Sequence, residues 1–222
     1  MTTSDPPWQD ALLAVLGLFL PVTCAGCGQA DRALCRACRR SLAAEPGRVR
    51  LVAGIRLDAA FEYGGLVRTL LLELKLRGRV DLARPLGTRF GALVRAALAE
   101  APTDALLLRV PPSPQGTRAR GFDPVVVLLA RGGVRRPRSL RRARSLRRTP
   151  ASGSGRGQKE RSGVERVAAT VGTLRAVGVT GRDVVVVDDV VTTGVTMAEA
   201  VRAVRAAGGR VVRCVAVASV DD

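Results

Sequence analysis

The feature that most constrains the fold is a run of valines followed by two aspartates near the C-terminal end of the sequence. Residues 184–187 are four consecutive valines, Asp188 and Asp189 follow, and a loop rich in threonine leads to Thr196. A continuous run of β-branched residues is typical of a strand buried on both faces, as in a parallel sheet. We expect this strand over residues 183–187, with both carboxylates at its carboxyl end.

The segment after the acidic pair has the features of an anion-binding loop. Thr196 and Glu199 have the spacing of a capping box, so a helix should start there and stop at Gly208-Gly209. A loop that leads into a helix N-terminus offers backbone N–H groups to an anion, whereas carboxylates accept hydrogen bonds from a diol. The pattern predicts a site for a phosphate and two hydroxyls, as in ribose 5-phosphate. An ordinary strand–turn–helix corner is the alternative.

This stretch resembles the PRPP-binding motif of type I phosphoribosyltransferases, in which an apolar strand and an acidic pair precede Thr-Thr-Gly-x-Thr. The resemblance implies that the acidic pair binds the ribose hydroxyls and serves catalysis, that the loop cradles the 5′-phosphate, and that Mg²⁺ accompanies PRPP. The implied PRPP-binding residues are Asp188, Asp189, Val190, Val191, Thr192, Thr193, Gly194, Val195 and Thr196.

The sequence contains no histidine. This excludes Ser-His and Cys-His nucleophilic catalysis and any histidine metal ligand. Phosphoribosyl transfer tolerates the absence, because pyrophosphate departs with the help of Mg²⁺ and because positioning and electrostatics carry much of the barrier.

Four cysteines near the N-terminus form two Cys-x-x-Cys pairs, Cys24 with Cys27 and Cys35 with Cys38. Thiolates at this spacing can close a tetrahedral Zn²⁺ site, and we expect a structural zinc. Two disulfides or a redox pair are the alternatives, but no export signal is visible and no βαβ pattern surrounds either pair. The fifth cysteine, Cys214, lies in an apolar strand, where we expect a small buried hydrophobe.

The formal net charge of +17 favours polyanionic partners. Residues 131–161 contribute eleven arginines and one lysine against a single acid, Glu160. The stretch is either a solvated basic loop or a nucleic-acid surface. It contains no aromatic residue, which counts against stacking of bases there.

Further motifs extend the resemblance to most of the chain. Residues 61–68, 75–78, 110–114 and 118–123, together with the cysteine pairs, are similar to the ComF family, which joins a zinc-binding segment to a phosphoribosyltransferase domain. That family is linked to competence, the uptake of single-stranded DNA by bacteria. The resemblance implies a pyrophosphate site after the strand that ends at residue 110, built from Pro112, Ser113, Arg118 and Arg120.

The chain departs from the ComF pattern in the region that the resemblance places near the active site. Asp123-Pro124 stands where many members have Asn-Gln, and residues 151–155 and 161–164 also differ. Residues 144–163 would form a mobile hood over the site.

We therefore predict an α/β fold: a type I phosphoribosyltransferase-like parallel sheet flanked by helices, with a small N-terminal zinc segment that uses the four paired cysteines. Residues 1–45 should hold an apolar helix and the zinc segment, and residues 46–222 the phosphoribosyltransferase-like domain. The ligand should lie at the carboxyl ends of the strands. Strands are expected at 56–63, 104–110, 183–187 and 210–220, helices at 66–76 and 81–100, and a linker at 45–54.

The functional hypothesis is transfer of ribose 5-phosphate from PRPP to an unidentified acceptor with release of pyrophosphate. The alternative is a non-catalytic, single-stranded-DNA-binding accessory protein of DNA uptake that retains a PRPP pocket. Partners are then PRPP or ribose 5-phosphate, with single-stranded DNA, the competence machinery and a homodimer left open. The apolar residues 11–20 are too few to span a bilayer, so we expect a cytoplasmic protein.

Overall fold

A computed structural model describes residues 22–30, 32–101, 105–112, 118, 120–134 and 172–220, and the backbone of residues 147–148. The helix expected at residues 11–20 and nearly all of the expected hood lie outside the described residues. The strands are β1 (Arg48–Val52), β2 (Ile55–Glu62), β3 (Leu106–Arg109), β4 (Arg147–Arg148), β5 (Leu174–Arg175), β6 (Asp183–Val191) and β7 (Arg210–Ser219). The helices are α1 (Arg36–Ala44), α2 (Gly65–Arg77), α3 (Ala83–Glu100), α4 (Pro124–Arg131) and α5 (Val195–Ala206), with a 3₁₀ turn at Val80–Leu82.

Five strands form one sheet in the order β1-β2-β7-β6-β3. The β2–β7, β7–β6 and β6–β3 pairs are parallel, and β1 is an antiparallel edge strand. Helices cover both faces, so the predicted α/β fold is confirmed. The short β4 and β5 strands form a separate antiparallel ribbon.

The valine run divides its side chains between the two faces of the sheet. Val184 and Val186 pack in the cluster that contains Met197 of α5, whereas Val185 and Val187 pack with residues of α2, α3 and α4. All four valines are fully buried. The prediction of a strand buried on both faces is therefore confirmed, and the alternation explains why no polar residue interrupts it.

Strand β6 is longer than the sequence pattern predicted. Its pairing with β7 continues through Asp188 opposite Ala216 to Val191 opposite Ser219. The acidic pair thus occupies the sixth and seventh of the nine strand residues rather than following the strand. Strand β3 pairs with β6 only as far as Val187. The carboxylates therefore lie where β6 has a paired strand, β7, on one side only.

The predicted capping box was wrong. Helix α5 begins one residue earlier, with Gly194 as its N-cap and no side-chain cap. Glu199 is buried and accepts a hydrogen bond from the Leu174 N–H, and it pairs with Arg202 of its own helix at 2.6 Å. The Glu199 carboxylate therefore binds Leu174 and Arg202 and does not cap the start of the helix, which the capping pattern had predicted.

The expected linker at residues 45–54 contains strand β1. Its hairpin with β2 turns at Ala53 and Gly54, both at positive φ, as a two-residue turn with primed geometry requires. Helix α4 also went unpredicted, although Asp123 caps it and Pro124 occupies its first turn.

Candidate functional site

The acidic pair of β6 faces a lysine from another element. Lys75, in the last turn of α2, places its Nζ 2.8 Å from Asp189 Oδ1. Asp188 turns its Oδ1 toward the backbone N–H of Asp189, which donates to it at 2.8 Å. The two carboxylates therefore have different partners, a cation for one and a backbone amide for the other.

Asp188 is held in an environment that opposes its ionisation. Burial raises the pKa of its carboxyl well above the ordinary value, and the charge of Asp189 raises it further. The backbone amide of Asp189 and the ammonium of Lys75 act in the opposite direction without cancelling the effect. A raised carboxyl pKa beside a second acid in a cleft is typical of functional sites.

A cavity of about 260 Å³ opens beside this pair. Its wall combines the end of β6, the end of α2, the segment after β3 and the start of α4. The lining residues are Lys75, Val110, Pro111, Pro112, Arg120, Asp123, Pro124, Val125, Asp188, Asp189 and Thr196.

A third acid in the cavity wall, Asp123, caps a helix and pairs with a cation. Asp123 accepts the N–H of Val125 at 3.0 Å, and its Oδ2 lies 2.7 Å from Arg109 Nη1. Arg120 contributes to the same wall, and its buried Nε has no hydrogen-bond partner among the residues that the structure describes. An unsatisfied guanidinium N–H in a cleft is suited to an anionic ligand.

The threonine-rich loop encloses a second, smaller hollow of about 40 Å³, lined by residues 188 and 190–197. Thr192 and Thr193 are exposed at its tip, and Gly194 adopts a positive φ of 75°. Arg50 of β1 donates to the Thr192 carbonyl at 2.6 Å. A Cβ on Gly194 would lie 3.1 Å from the Arg50 guanidinium, so the glycine serves both the turn and this close approach.

The two hollows share wall residues. Asp188 and Thr196 line both of them. One ligand could therefore place an anionic group in the loop and its remaining polar groups beside the acidic pair.

The structure places the residues singled out in the sequence as follows. Pro112 and Arg120 line the large cavity, whereas Arg118 is exposed and does not line it, and Ser113 lies outside the described residues. Lys75, Arg50 and Arg109 had not been singled out as site residues. Lys75 belongs to the 75–78 motif of the ComF resemblance, but that motif assigned it no role in the site. Arg50 and Arg109 had no local signal, because each comes from an element far along the chain from the acidic pair.

The four N-terminal cysteines converge. Their sulfur atoms all lie within 4.8 Å of one another, and the Cys27 and Cys35 Sγ atoms are 3.7 Å apart. Tetrahedral zinc at about 2.3 Å from each sulfur requires neighbouring sulfurs about 3.8 Å apart. The cluster could therefore hold a zinc ion, as predicted, and its cysteines form no disulfide.

Backbone amides favour the thiolate form of Cys24 and Cys35, whereas burial and the neighbouring sulfurs raise the pKa of Cys38 to about 12. Burial opposes ionisation of Cys24, but backbone hydrogen bonds from Cys35, Cys27 and Gly26 lower its pKa to about 6. Gly26 also permits the close packing, because a Cβ there would lie 2.8 Å from both Cys38 Sγ and Leu66 Cδ1. Cys214 lies outside the cluster, and burial raises its pKa to about 12, as expected of a core cysteine.

The fold and the candidate site combine a mostly parallel α/β sheet with an acidic pair, a threonine-rich loop and a helix at its carboxyl edge, where open α/β sheets bind their ligands. Residues 117–221 match the family described as the phosphoribosyl transferase domain. The match begins after β3, although β1, β2 and β3 belong to the same sheet. No curated protein matches the chain. Within the described residues, no helix is long and apolar enough to cross a membrane.

Proposed function

We propose that the protein binds PRPP, or ribose 5-phosphate, and acts as a ComF-like phosphoribosyltransferase. The observation that carries the proposal is that the loop hollow and the larger cavity meet at Asp188 and Thr196. The 5′-phosphate would occupy the loop hollow, the ribose hydroxyls would donate to Asp188 and Asp189, and the pyrophosphate would extend toward Arg120.

In the proposed transfer, a lone pair of the acceptor forms a bond to C1 of the ribose. The C1–O bond to pyrophosphate breaks, and pyrophosphate takes that electron pair as it leaves. The protein's part is to hold the ribose by its diol and to offer Arg120 to the departing anion. Mg²⁺, entering as the counter-ion of PRPP, would neutralise the pyrophosphate when bound. The acceptor is left open.

Charge supports the alternative of a single-stranded-DNA-binding accessory protein of DNA uptake. The net charge of +17 and the arginines of residues 131–161 would favour phosphates. Most of that stretch lies outside the described residues, so the alternative rests on composition and on the ComF resemblance. A role in competence comes from the resemblance alone, a cytoplasmic location comes from the shortness of the apolar stretch at residues 11–20, and a homodimer is left open.

The double variant Asp188→Asn and Asp189→Asn should abolish measurable PRPP binding. Hydrogen bonds to a charged acceptor contribute about 1.5–3 kcal/mol each, and the variant weakens both. Titration calorimetry with PRPP and with ribose 5-phosphate checks this. Asp183→Asn is the matched control, because Asp183 begins the same strand and pairs with Arg210 outside the site.

Unchanged affinity in the double variant would contradict the site assignment. Product formation over a panel of nitrogenous acceptors then tests transfer. A salt titration of single-stranded DNA on the same preparations tests the alternative, which predicts steeply salt-dependent binding that the double variant retains.

A further inference from the structure

We propose that Lys75 is a positioning residue of the ribose-binding site, which favours the ionised form of the Asp188–Asp189 pair and orients the pair to accept hydrogen bonds from a diol. The inference rests on the proposed function, but it concerns a residue outside the matched region, on a helix that the motif does not include.

The geometry separates Lys75 from ordinary surface lysines. Helix α2 is anchored by the buried side chains of Leu70, Leu71 and Leu74, which fixes the direction of its last turn. Lys75 is 20 % exposed, whereas its neighbour Leu76 is 75 % exposed. A lysine in the last turn of a helix is already favoured by the helix dipole. Here the side chain instead points inward to Asp189 and forms part of the cavity wall.

The charges around the pair show why a cation is needed there. Besides Asp188 and Asp189 of β6, the cavity receives a third acid, Asp123, from the segment before α4. Asp123 is already engaged by Arg109 and by two backbone amides. Arg120 is the other cation on the wall, and it lies on the pyrophosphate side of the proposed ligand. Among the described residues, Lys75 is the cation in contact with the acidic pair.

Removing that cation should favour the protonated form of Asp188. Burial and the charge of Asp189 already raise the pKa of Asp188, and Lys75 is one of the groups that counteract them. A nearby opposite charge lowers a carboxyl pKa, so the loss of Lys75 should raise the pKa of Asp188 further. A protonated carboxyl loses acceptor strength toward the ribose hydroxyls.

Two measurements on purified full-length protein test the proposal. The first is ligand-free: carbon-13 NMR of the aspartate carboxyls between pH 4 and 9 in the wild type, Lys75→Met and Lys75→Arg. Arg77→Met is the matched control, because Arg77 is on the same helix turn but is exposed and pairs with Glu73. We expect Lys75→Met to raise the pKa at which Asp188 titrates by about one pH unit or more. Lys75→Arg and Arg77→Met should titrate like the wild type.

The second measurement is the affinity for ribose 5-phosphate from pH 6 to 9. At neutral pH, Lys75→Met should bind about tenfold more weakly or worse, and the loss should shrink as pH rises and the pair ionises. Comparing each variant with the wild type at the same pH cancels the titration of the ligand's own phosphate. Lys75→Arg should restore most of the affinity.

The outcomes separate this inference from the proposed function. An unchanged carboxyl titration in Lys75→Met overturns the role of Lys75, and so does a loss of affinity that is equal at every pH. If the carboxyl titration shifts in Lys75→Met but the wild type binds neither ribose 5-phosphate nor PRPP, the proposed function is overturned. The effect of Lys75 on the acidic pair then still stands.

Discussion

At the scale of single residues, the site concentrates features that a stability-optimised fold would avoid. Asp188 and Asp189 are adjacent carboxylates, and burial raises the pKa of the first. An apolar or amide side chain would cost less there. Such a conflict between local stability and placement is typical of a binding site, where charge is retained for a ligand.

This conflict has a consequence for stability as a function of pH. The folded-state pKa of Asp188 lies above its unfolded value, so its contribution to stability is fully present below about pH 4 and is lost as pH rises toward the folded value. Asp188→Asn does not titrate. The variant should therefore gain stability relative to the wild type as pH increases from 4 to 8, by about 2–4 °C in Tm per kcal/mol. Thermal unfolding followed by circular dichroism measures this.

Asp183→Asn provides a control of opposite sign. A hydrogen bond from Arg210 lowers the pKa of Asp183, so that its contribution is present above the unfolded pKa and is lost as pH falls. This variant should lose stability at pH 8 and approach the wild type at low pH. Parallel pH dependences in the two variants would contradict the environment assigned to Asp188.

Much of the site was predictable at this scale, and the reason for the rest is physical. The acidic pair and the threonine loop are contiguous in sequence, so their pattern alone indicates a phosphate and a diol. Lys75 and Arg50 reach the same site from α2 and β1. No local spacing encodes such contacts, because they depend on how the strands are ordered in the sheet.

At the scale of elements, the strands that the sequence predicted best are the apolar ones. Strand β1 was missed because Val49 and Leu51 are exposed and the strand begins directly after Pro46-Gly47, so it looks like a linker. Its one buried side chain is Val52. The sequence signal for a hairpin was Gly54, because the short turn needs a residue at positive φ there.

Strand β1 should also matter for the phosphate end of the site. Arg50→Gln removes a charged donor to the Thr192 carbonyl and a contact beside Gly194. Because the hydrogen bond is exposed, we expect a loss of only about 1 kcal/mol, or roughly fivefold in affinity for ribose 5-phosphate. Pyrophosphate binding should stay unchanged. Titration calorimetry with both ligands checks the prediction.

Arg48→Gln is the control for this effect. Arg48 belongs to the same strand, but it pairs with Glu62 at 3.4 Å. It should bind ribose 5-phosphate like the wild type. If both variants weaken binding equally, the effect comes from the strand as a whole and not from the contact of Arg50 with the loop.

At the scale of the whole molecule, the site is completed by parts of the chain that lie outside the matched region. Helix α2, strand β1 and the segment after β3 come before residue 117, and each contributes to the cavity or to its loop. The cysteine segment packs on the same side of the sheet: Cys24, Leu34, Cys35 and Leu42 share a core cluster with Leu70 and Leu74 of α2. The division at residue 45 remains a prediction.

The cysteine segment should therefore depend on zinc and support the core through α2. We predict that one zinc ion co-purifies per chain and that Cys27→Ser removes it, because tetrahedral structural zinc needs all four thiolates. Structural zinc supplies folding free energy, so limited proteolysis should then cut within residues 20–45, and Tm should fall. Cys214→Ala is the matched control. It removes a buried thiol of β7 that is not part of the cluster, so it should lower Tm and leave the zinc content at one. Fresh, reduced wild-type protein without zinc in elemental analysis would contradict the prediction, as would a Cys27→Ser variant that keeps its zinc.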